Sequence, residues 1–240
     1  DKANEYFGIW ILDSHHCIVQ NCRVTGMRTC ITGDYAPGIN LEGNNCHHNI
    51  VRNNILHNNH PNGFYNQAGI GVCINAHDNI IEHNYCYNCG GGIHVKSRGV
   101  ENTIVRYNLI KDCKWGITNN AINTTITQNI VYRTSNGGAA GIACRAEYGD
   151  NGPVTVTHNV VYNHQRGFYL SSGMGHPVNL TSKNNIFMNA AGSPNCEMTM
   201  CRQGYGDCPG GEPPGFFSDY NCFYNNFSSN VIHWDQTTYT

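Results

Sequence analysis

One short motif recurs along the whole chain and constrains its fold more than any other feature. It is a glycine followed by an apolar, a variable and a second apolar residue, as in Gly38-Ile39-Asn40-Leu41. Six copies begin at Gly8, Gly38, Gly69, Gly92, Gly141 and Gly167, and a copy at Gly116 keeps the first three positions; the steps between the seven glycines are 23 to 31 residues. A repeat of this length is typical of solenoids, in which each unit packs only on its neighbours.

A second motif follows the first and consists of two short apolar alternations around an asparagine. The asparagines of this motif are Asn54, Asn84, Asn108, Asn129 and Asn159. We predict that each one sits at a tight bend between two strands and adopts the left-handed backbone that such a bend requires. Stacked coils would then align the amides in a hydrogen-bonded ladder. Each repeat therefore contains three short strands, and no helical periodicity separates them.

Taken together, these motifs resemble the right-handed parallel β-helix of the pectate-lyase-like superfamily, over roughly residues 6–190. The resemblance implies an all-β fold, a right-handed parallel β-helix solenoid with three short strands per coil and about seven to eight coils. We expect one such domain over residues 1–240, with a loop excursion rich in Cys, Pro and Gly at 190–217. Because the first repeat begins close to Asp1, we expect a piece of a longer chain with flanking domains, or coils that associate end to end.

Composition narrows the cellular setting and the class of partner. The chain of 240 residues carries 13 cysteines, only 12% charged residues and a net charge of −2. This charge argues against nucleic acid as a partner, and no apolar run is long enough to span a membrane. Cysteine use and three glycosylation motifs favour an extracellular or cell-surface protein. The three acceptor residues would be Asn123, Asn179 and Asn226.

The cysteines allow one pairing to be predicted. Cys89 and Cys113 each follow a bend asparagine by five residues, in consecutive coils about 4.8 Å apart. We therefore predict a Cys89–Cys113 disulfide. Cys86 takes an inward aliphatic position and is interpreted as a small core residue. A zinc site at Cys86-x-x-Cys89 would need a second cysteine pair, which we do not find.

The variable positions of the first motif should face outward, because the apolar pair points inward. Stacked coils give two outward columns. The first column contains Trp10, Asn40, Gly71, His94, Thr118, Ala143 and Tyr169. The second column contains Leu12, Glu42, Cys73, Lys96, Asn120, Arg145 and Ser171. The superfamily resemblance implies that this face lines a polysaccharide-binding groove.

The residue types in the two columns suit an acidic sugar. His94 and Lys96 project together and are candidates for the base that removes a proton next to a uronate carboxylate, while Arg145 would hold that carboxylate. The predicted substrate-binding residues are the stacking aromatics Trp10 and Tyr169 and the hydrogen-bonding residues Asn40, Glu42 and Asn120.

The segment Ile93-His94-Val95-Lys96-Ser97 also resembles the strand that carries the catalytic lysine in calcium-assisted β-helix lyases of the chondroitinase B and alginate lyase type. Two departures weaken the transfer. Gly90-Gly91-Gly92 stands where those enzymes have acidic calcium ligands, and Thr118 and Asn120 stand where they have an arginine. We expect no cofactor; calcium is the alternative that the resemblance leaves open, but no acidic cluster supports it.

Two competing interpretations of individual residues remain. A hydrolase would need clustered carboxylates, and Glu42 is the one acid on the predicted face. The histidines His47, His48, His57 and His60 are interpreted as ordinary outward residues rather than metal ligands.

Two functions from different classes are therefore predicted. The first is an extracellular carbohydrate-active protein, lyase-like on an acidic polysaccharide. The second is a non-catalytic structural or adhesive module of a cell-surface or fibre protein, whose coils stack end to end. Mixed aromatic, amide and cationic side chains favour the first, and the scarcity of acids favours the second.

Overall fold

A computed structural model describes residues 7–27, 35–60, 63–96, 99–146, 152–172, 179–188, 198–202, 216–224, 232–234 and 237–239. In these parts the chain forms twenty-four strands, numbered here along the sequence, which wind into stacked coils. No helix within the described residues is long and apolar enough to cross a membrane.

The first strands of successive coils form one parallel stack. They are β1 (Ile9–Leu12), β4 (Ile39–Glu42), β7 (Ala68–Cys73), β10 (Gly91–Val95), β13 (Trp115–Asn119), the later part of β15 (Ile130–Ala146), the later part of β17 (Val160–Ser172), β20 (Met198–Arg202) and β23 (Ile232–Trp234). A last strand, β24 (Thr237–Tyr239), pairs antiparallel with β23.

The second and third strands of each coil form two further stacks. The second stack contains β2 (Ile18–Gln20), β5 (Ile50–Arg52), β8 (Ile80–Glu82), β11 (Ile104–Arg106), β14 (Thr124–Thr127), β16 (Val154–Thr157), β18 (Leu180–Lys183) and β21 (Phe217–Asp219). The third stack contains β3 (Arg23–Thr25), β6 (Ile55–His57), β9 (Tyr85–Tyr87), β12 (Leu109–Lys111), the early parts of β15 and β17, β19 (Ile186–Met188) and β22 (Cys222–Tyr224).

This architecture confirms the predicted parallel β-helix. Eight successive coils each supply three strands, in agreement with the prediction of seven to eight. In β15 and β17 no bend separates the third strand of one coil from the first strand of the next, so the first and third stacks join into one sheet. The second stack remains a separate eight-stranded sheet.

Alternation of side chains explains why such short strands are stable. In β5, β8 and β11 the central residue is buried and both flanking residues are only half-buried. Coil upon coil, the central residues Val51, Ile81 and Val105 form a continuous aliphatic column inside the solenoid. Full burial of one such side chain stabilises the fold by about 1.5–3 kcal/mol.

A ladder of asparagine amides lies beside the bend between the second and third stacks. The backbone N–H and side-chain Nδ2 of each asparagine donate to Oδ1 of the asparagine one coil further on, as from Asn84 to Asn108 at 3.0 and 3.1 Å. The ladder contains Asn54, Asn84, Asn108, Asn129, Asn159, Asn185 and Asn221. The predicted ladder is confirmed and continues for two coils beyond the predicted members.

The position of the left-handed residue was predicted wrongly by one residue. A positive φ occurs at the residue before each ladder asparagine, for example at His83, Tyr107 and Gln128. The ladder asparagines are buried, except for the half-buried Asn221, and their amides form hydrogen bonds with the neighbouring coils. Since the preceding side chain points to solvent, residues of several types occupy the bend.

The predicted disulfide is not formed, because Cys89 and Cys113 are free, buried thiols. Equivalent positions of adjacent parallel coils lie about 4.8 Å apart with parallel side chains. The Cβ atoms of a disulfide must approach to about 3.5–4.5 Å. Each thiol instead donates to the carbonyl two residues earlier, at 3.4 Å for Cys89 and 3.6 Å for Cys113. Cys86 is fully buried in the core, as predicted.

Two other predictions fall partly outside the described residues. Within the predicted excursion at 190–217, the structure has strand β20 and the start of β21, while 190–197 and 203–215 are not among the described residues. Asn123 and Asn179 are exposed, whereas Asn226 also lies outside the described residues. Their glycosylation stays a prediction.

Candidate functional site

The first strands align the predicted columns residue for residue. Trp10 pairs with Asn40, Asn40 with Gly71, and Gly71 with His94. The same register continues through Thr118 and Ala143 to Tyr169. In the second column Leu12, Glu42 and Cys73 are in register, as are Arg145 and Ser171 further along.

The prediction that these positions face solvent is wrong for the middle of the face. Asn40 and His94 are fully buried, and Asn120 is 2% exposed. Residues 35–38 before β4 and 63–67 before β7 fold over the sheet and place Tyr35 and Tyr65 on it. The periodicity of a strand predicts on which side of the sheet a residue lies. Whether that side is exposed to solvent depends on the covering segments.

The covering segments are held by specific contacts. The Ala36 N–H donates to the Asn66 carbonyl at 3.1 Å and so joins the two segments. The Gln67 side chain closes the turn around Tyr65 by accepting from the Phe64 N–H at 3.0 Å.

A glycine in the column makes room for the cover. A Cβ at Gly71 would collide with the Tyr35 hydroxyl and lie 2.8 Å from Cγ of Pro37. The Tyr35 hydroxyl occupies this space and donates to Oδ1 of Asn40 at 3.0 Å.

The two tyrosines bring the three predicted catalytic side chains into one place. The His94 ring makes edge contacts with Tyr65 at 4.9 Å and Tyr35 at 6.2 Å between centroids. Lys96 Nζ lies 4.7 Å from the centre of the Tyr35 ring, and Arg145 Cζ lies 5.0 Å from that of Tyr65. Each cation therefore rests on an aromatic face, an arrangement that is stronger in a desolvated site than in water.

Burial and charge together set the protonation states in the site. The pKa of His94 lies well below its usual range, first because of burial and then because of the positive charges of Lys96 and Arg145. His94 is therefore a neutral imidazole at neutral pH. Burial, followed by the neighbouring Cys73 and Glu42, raises the pKa of Tyr35 well above its ordinary value, so its hydroxyl keeps its proton.

Several polar atoms at this site have no partner in the described part of the chain. They are both ring nitrogens of His94 and both amide atoms of Asn120. An unsatisfied buried polar atom costs about 1–3 kcal/mol, so a cluster of them is unusual in a purely structural face.

The other predicted binding residues lie at the margins of the covered site. Trp10 is 47% exposed and packs on Phe7 at 5.0 Å between ring centroids. Tyr169 is half-buried beneath the guanidinium of Arg166 at 4.9 Å. Glu42 is occupied by the Asn40 amide, which donates to its Oε2 at 3.0 Å.

The described residues around the site contain no acidic cluster of the kind that holds a calcium ion. Among the described residues, no three His, Cys, Asp or Glu side chains are grouped so that they could hold a metal. Gly91 and Gly92 are buried strand residues of β10.

Comparison with known families agrees with the geometry of the coils. A family model described as a right-handed β-helix region matches residues 61–187, more than half of the chain. The chain belongs to the right-handed β-helix family. A search of curated proteins finds no match. Membership therefore establishes the fold and the hand of this β-helix protein.

Sequence reasoning missed the two tyrosines that define the site of this β-helix protein. Tyr35 and Tyr65 lie between the repeated motifs, where no periodicity marks them. One signal was present, because Gly71 breaks a column otherwise made of larger side chains beside Asn40 and His94. A missing side chain in such a column indicates that something else packs there.

Proposed function

We propose that this β-helix protein is an extracellular, carbohydrate-active protein that acts like a lyase on an acidic polysaccharide. The observation that carries the proposal is the state of His94. It is neutral, its ring nitrogens are unpartnered within the described residues, and the positive charges of Lys96 and Arg145 are close enough to act on it. A uronate at this place would supply both a proton to remove and a carboxylate to neutralise.

The proposed roles follow from protonation and charge. The neutral His94 imidazole accepts the proton next to the uronate carboxylate. Lys96 and Arg145 bind the carboxylate and stabilise the negative charge that grows on it as the proton leaves. The Tyr35 hydroxyl, which stays protonated, donates to the glycosidic oxygen as that bond breaks. The products are a new chain end and an unsaturated uronate. Once they leave, the proton held by His94 returns to the Tyr35 oxygen through solvent, so both groups regain their starting states and atoms and charge balance without a cofactor.

Access is the step that the cover governs. Because Tyr35 and Tyr65 occupy the face above His94, the sugar has to displace the Tyr65 ring from Arg145 and push the Tyr35 ring aside from Lys96. Tyr35 then stands beside the bound sugar with its hydroxyl next to the glycosidic oxygen. The cations then exchange an aromatic face for a carboxylate, and the stronger charge interaction favours the exchange.

The test is elimination on a panel of alginate, pectate and glycosaminoglycans, followed by ultraviolet absorbance of the unsaturated product. We expect activity in the wild type, and loss of activity in His94→Gln and Lys96→Ala. Lys183→Ala is the matched control, because Lys183 also rests on an aromatic ring, that of Phe217 at 4.3 Å, but on the second stack. Equal activity in Lys96→Ala and Lys183→Ala would refute the assigned site.

A second candidate function is a non-catalytic structural or adhesive module. The covered state of Asn40 and His94 favours it, because a polymer cannot reach a closed face. Polysaccharide binding measured separately from elimination discriminates the two. Binding that is lost in Lys96→Ala, with no product formed, would indicate a binding module, whereas neither binding nor product would indicate a structural one.

A further inference from the structure

Five histidines form two columns on the bend between the first and second stacks, away from the tyrosine-covered face. His15, His47 and His77 form one column, with ring centroids 4.9 Å apart at both steps. His16 and His48 form the other, at 5.2 Å and nearly parallel. The sequence steps from His15 to His47 and from His47 to His77 equal those from β2 to β5 and from β5 to β8, so the coils themselves stack these rings.

Across the two columns the side chains face each other in pairs. Nδ1 of His15 lies 2.8 Å from Nδ1 of His16, and the same distance separates Nδ1 of His47 and His48. On the next coil the pair is His77 and an acid, with Nδ1 of His77 2.7 Å from Oδ2 of Asp78.

The backbone fixes this pairing. The second residue of each pair, at His16, His48 and Asp78, has a left-handed backbone with φ of 56, 53 and 53°. The turn rotates its side chain to the same side as the preceding one. The His16 N–H donates to the His47 carbonyl at 3.2 Å, so the pairs also stay aligned between coils.

We propose that the two histidine pairs, His15 with His16 and His47 with His48, are binding sites for a late first-row divalent metal ion such as Ni²⁺. Metal–nitrogen bonds to histidine are about 2.0–2.1 Å, so two nitrogens held at a right angle around one ion lie about 2.9 Å apart. The observed 2.8 Å between the paired Nδ1 atoms matches this separation, and the two rings need only turn until both nitrogens point at one ion. Binding replaces the single proton that the two nitrogens share, and this proton passes to solvent.

The ligand set determines the class of ion and the strength of binding. Imidazole nitrogens select Cu²⁺, Ni²⁺ and Zn²⁺ over Mg²⁺ and Ca²⁺. Since no three potential ligands are grouped in the described residues, each pair gives two ligands and water completes the shell. Neighbouring pairs repel each other's ions across one coil step, so occupancy of one pair weakens the other.

The test is calorimetric titration of the folded chain with Ni²⁺ at neutral pH. The pair variant combines His16→Asn and His48→Asn and so breaks both histidine pairs. Asparagine is chosen because it tolerates the left-handed backbone at these positions. The matched control is His83→Asn with His158→Asn, whose histidines are also exposed and left-handed, with φ of 54 and 57°. Circular dichroism verifies that both variants are folded.

We expect saturable Ni²⁺ binding in the wild type and in the control variant, and a lower Ni²⁺ affinity in the pair variant. In metal sites, loss of a group that only hydrogen-bonds to a metal-binding residue lowers metal affinity by about 10–100-fold. Loss of one metal-binding nitrogen from each pair should lower Ni²⁺ affinity by at least this factor. Mild acid should weaken wild-type binding, because protons compete for the same nitrogens. The proposal would be overturned if the wild type showed no saturable Ni²⁺ binding, or if the pair variant and the control variant bound Ni²⁺ with equal affinity. The cysteines are the same in all three proteins and therefore cannot produce the difference.

Discussion

Replacement of Asn108 by alanine should be among the most damaging single changes in the second and third stacks. The Asn108 side chain donates to the carbonyls of Ile81 and Arg106, both at 2.9 Å, and to Oδ1 of Asn129 at 3.0 Å. Its own Oδ1 accepts from the backbone N–H and the side-chain Nδ2 of Asn84. The variant removes all five hydrogen bonds from a residue that is 2% exposed.

The expected loss follows from what remains unpaired. A typical hydrogen bond contributes about 1 kcal/mol net, and the bonds here share donors and acceptors, so they do not simply add. The Asn84 side chain keeps the carbonyls of Val51 and Glu82 as partners. The buried backbone N–H of Asn84 loses its side-chain acceptor, which by itself costs about 1–3 kcal/mol. We therefore expect the free energy of unfolding to fall by about 3–5 kcal/mol.

Urea unfolding followed by circular dichroism measures this loss. Asn221→Ala serves as an internal comparison, since Asn221 belongs to the same ladder but is only half-buried, and water can replace its partners. Asn45→Ala, at an exposed position, should change stability by less than about 0.5 kcal/mol. If Asn108→Ala costs less than about 1 kcal/mol at unchanged urea dependence, the ladder does not stabilise the coils in the way argued.

Three further predictions concern titration, packing and thiols. The pKa of His164 is lowered from 6.5 to about 3, first by burial and then by the charge of Arg133. Between these two pH values the unfolded chain therefore binds a proton at His164, whereas the folded chain does not. As the pH drops two units below 6.5, the free energy of unfolding should fall by about 3 kcal/mol more in the wild type than in His164→Gln. Urea unfolding at several acidic pH values measures this, and an equal decrease in the two proteins would contradict it. Gly71→Ala should displace Tyr35 and cost about 1–3 kcal/mol, but less in a Tyr35→Ala background; an additive double-mutant cycle would show that the two do not compete for space. Cys89 and Cys113 should both be alkylated in denaturant without reductant, and a peptide pair joined by a disulfide in the mass spectrum would refute their free state.

The fold was predictable from sequence because its signals are periodic. The step between Asn84 and Asn108 fixes where one coil lies on the next, and every strand in between inherits that register. For the same reason His94 was placed correctly beside Gly71 and Thr118. Local alternation and coil length, both visible in the sequence, set these pairings.

The candidate site was only partly predictable because its cover is not periodic. Tyr35 and Tyr65 reach the face from segments of unequal length, and their contacts depend on turns that no repeat specifies. The alignment of the histidine pairs was also missed, since His47 and His48 were interpreted as ordinary outward residues. The steps from His15 to His47 and from His47 to His77 nevertheless match those of the second-stack strands that follow them. Looking for one residue type at the coil period, instead of at a motif position, would have found them.

The asparagine ladder holds its spacing although the coils between its members differ greatly in length. Successive ladder residues are separated by 30, 24, 21, 30, 26 and 36 residues along the chain. Chain added to a coil therefore loops out sideways and leaves the rungs above and below in place. In evolution, such a coil can gain or lose a surface segment in a single event without disturbing its neighbours. The surface loops of such a protein can therefore change one coil at a time, while the stacked coils beneath them stay the same.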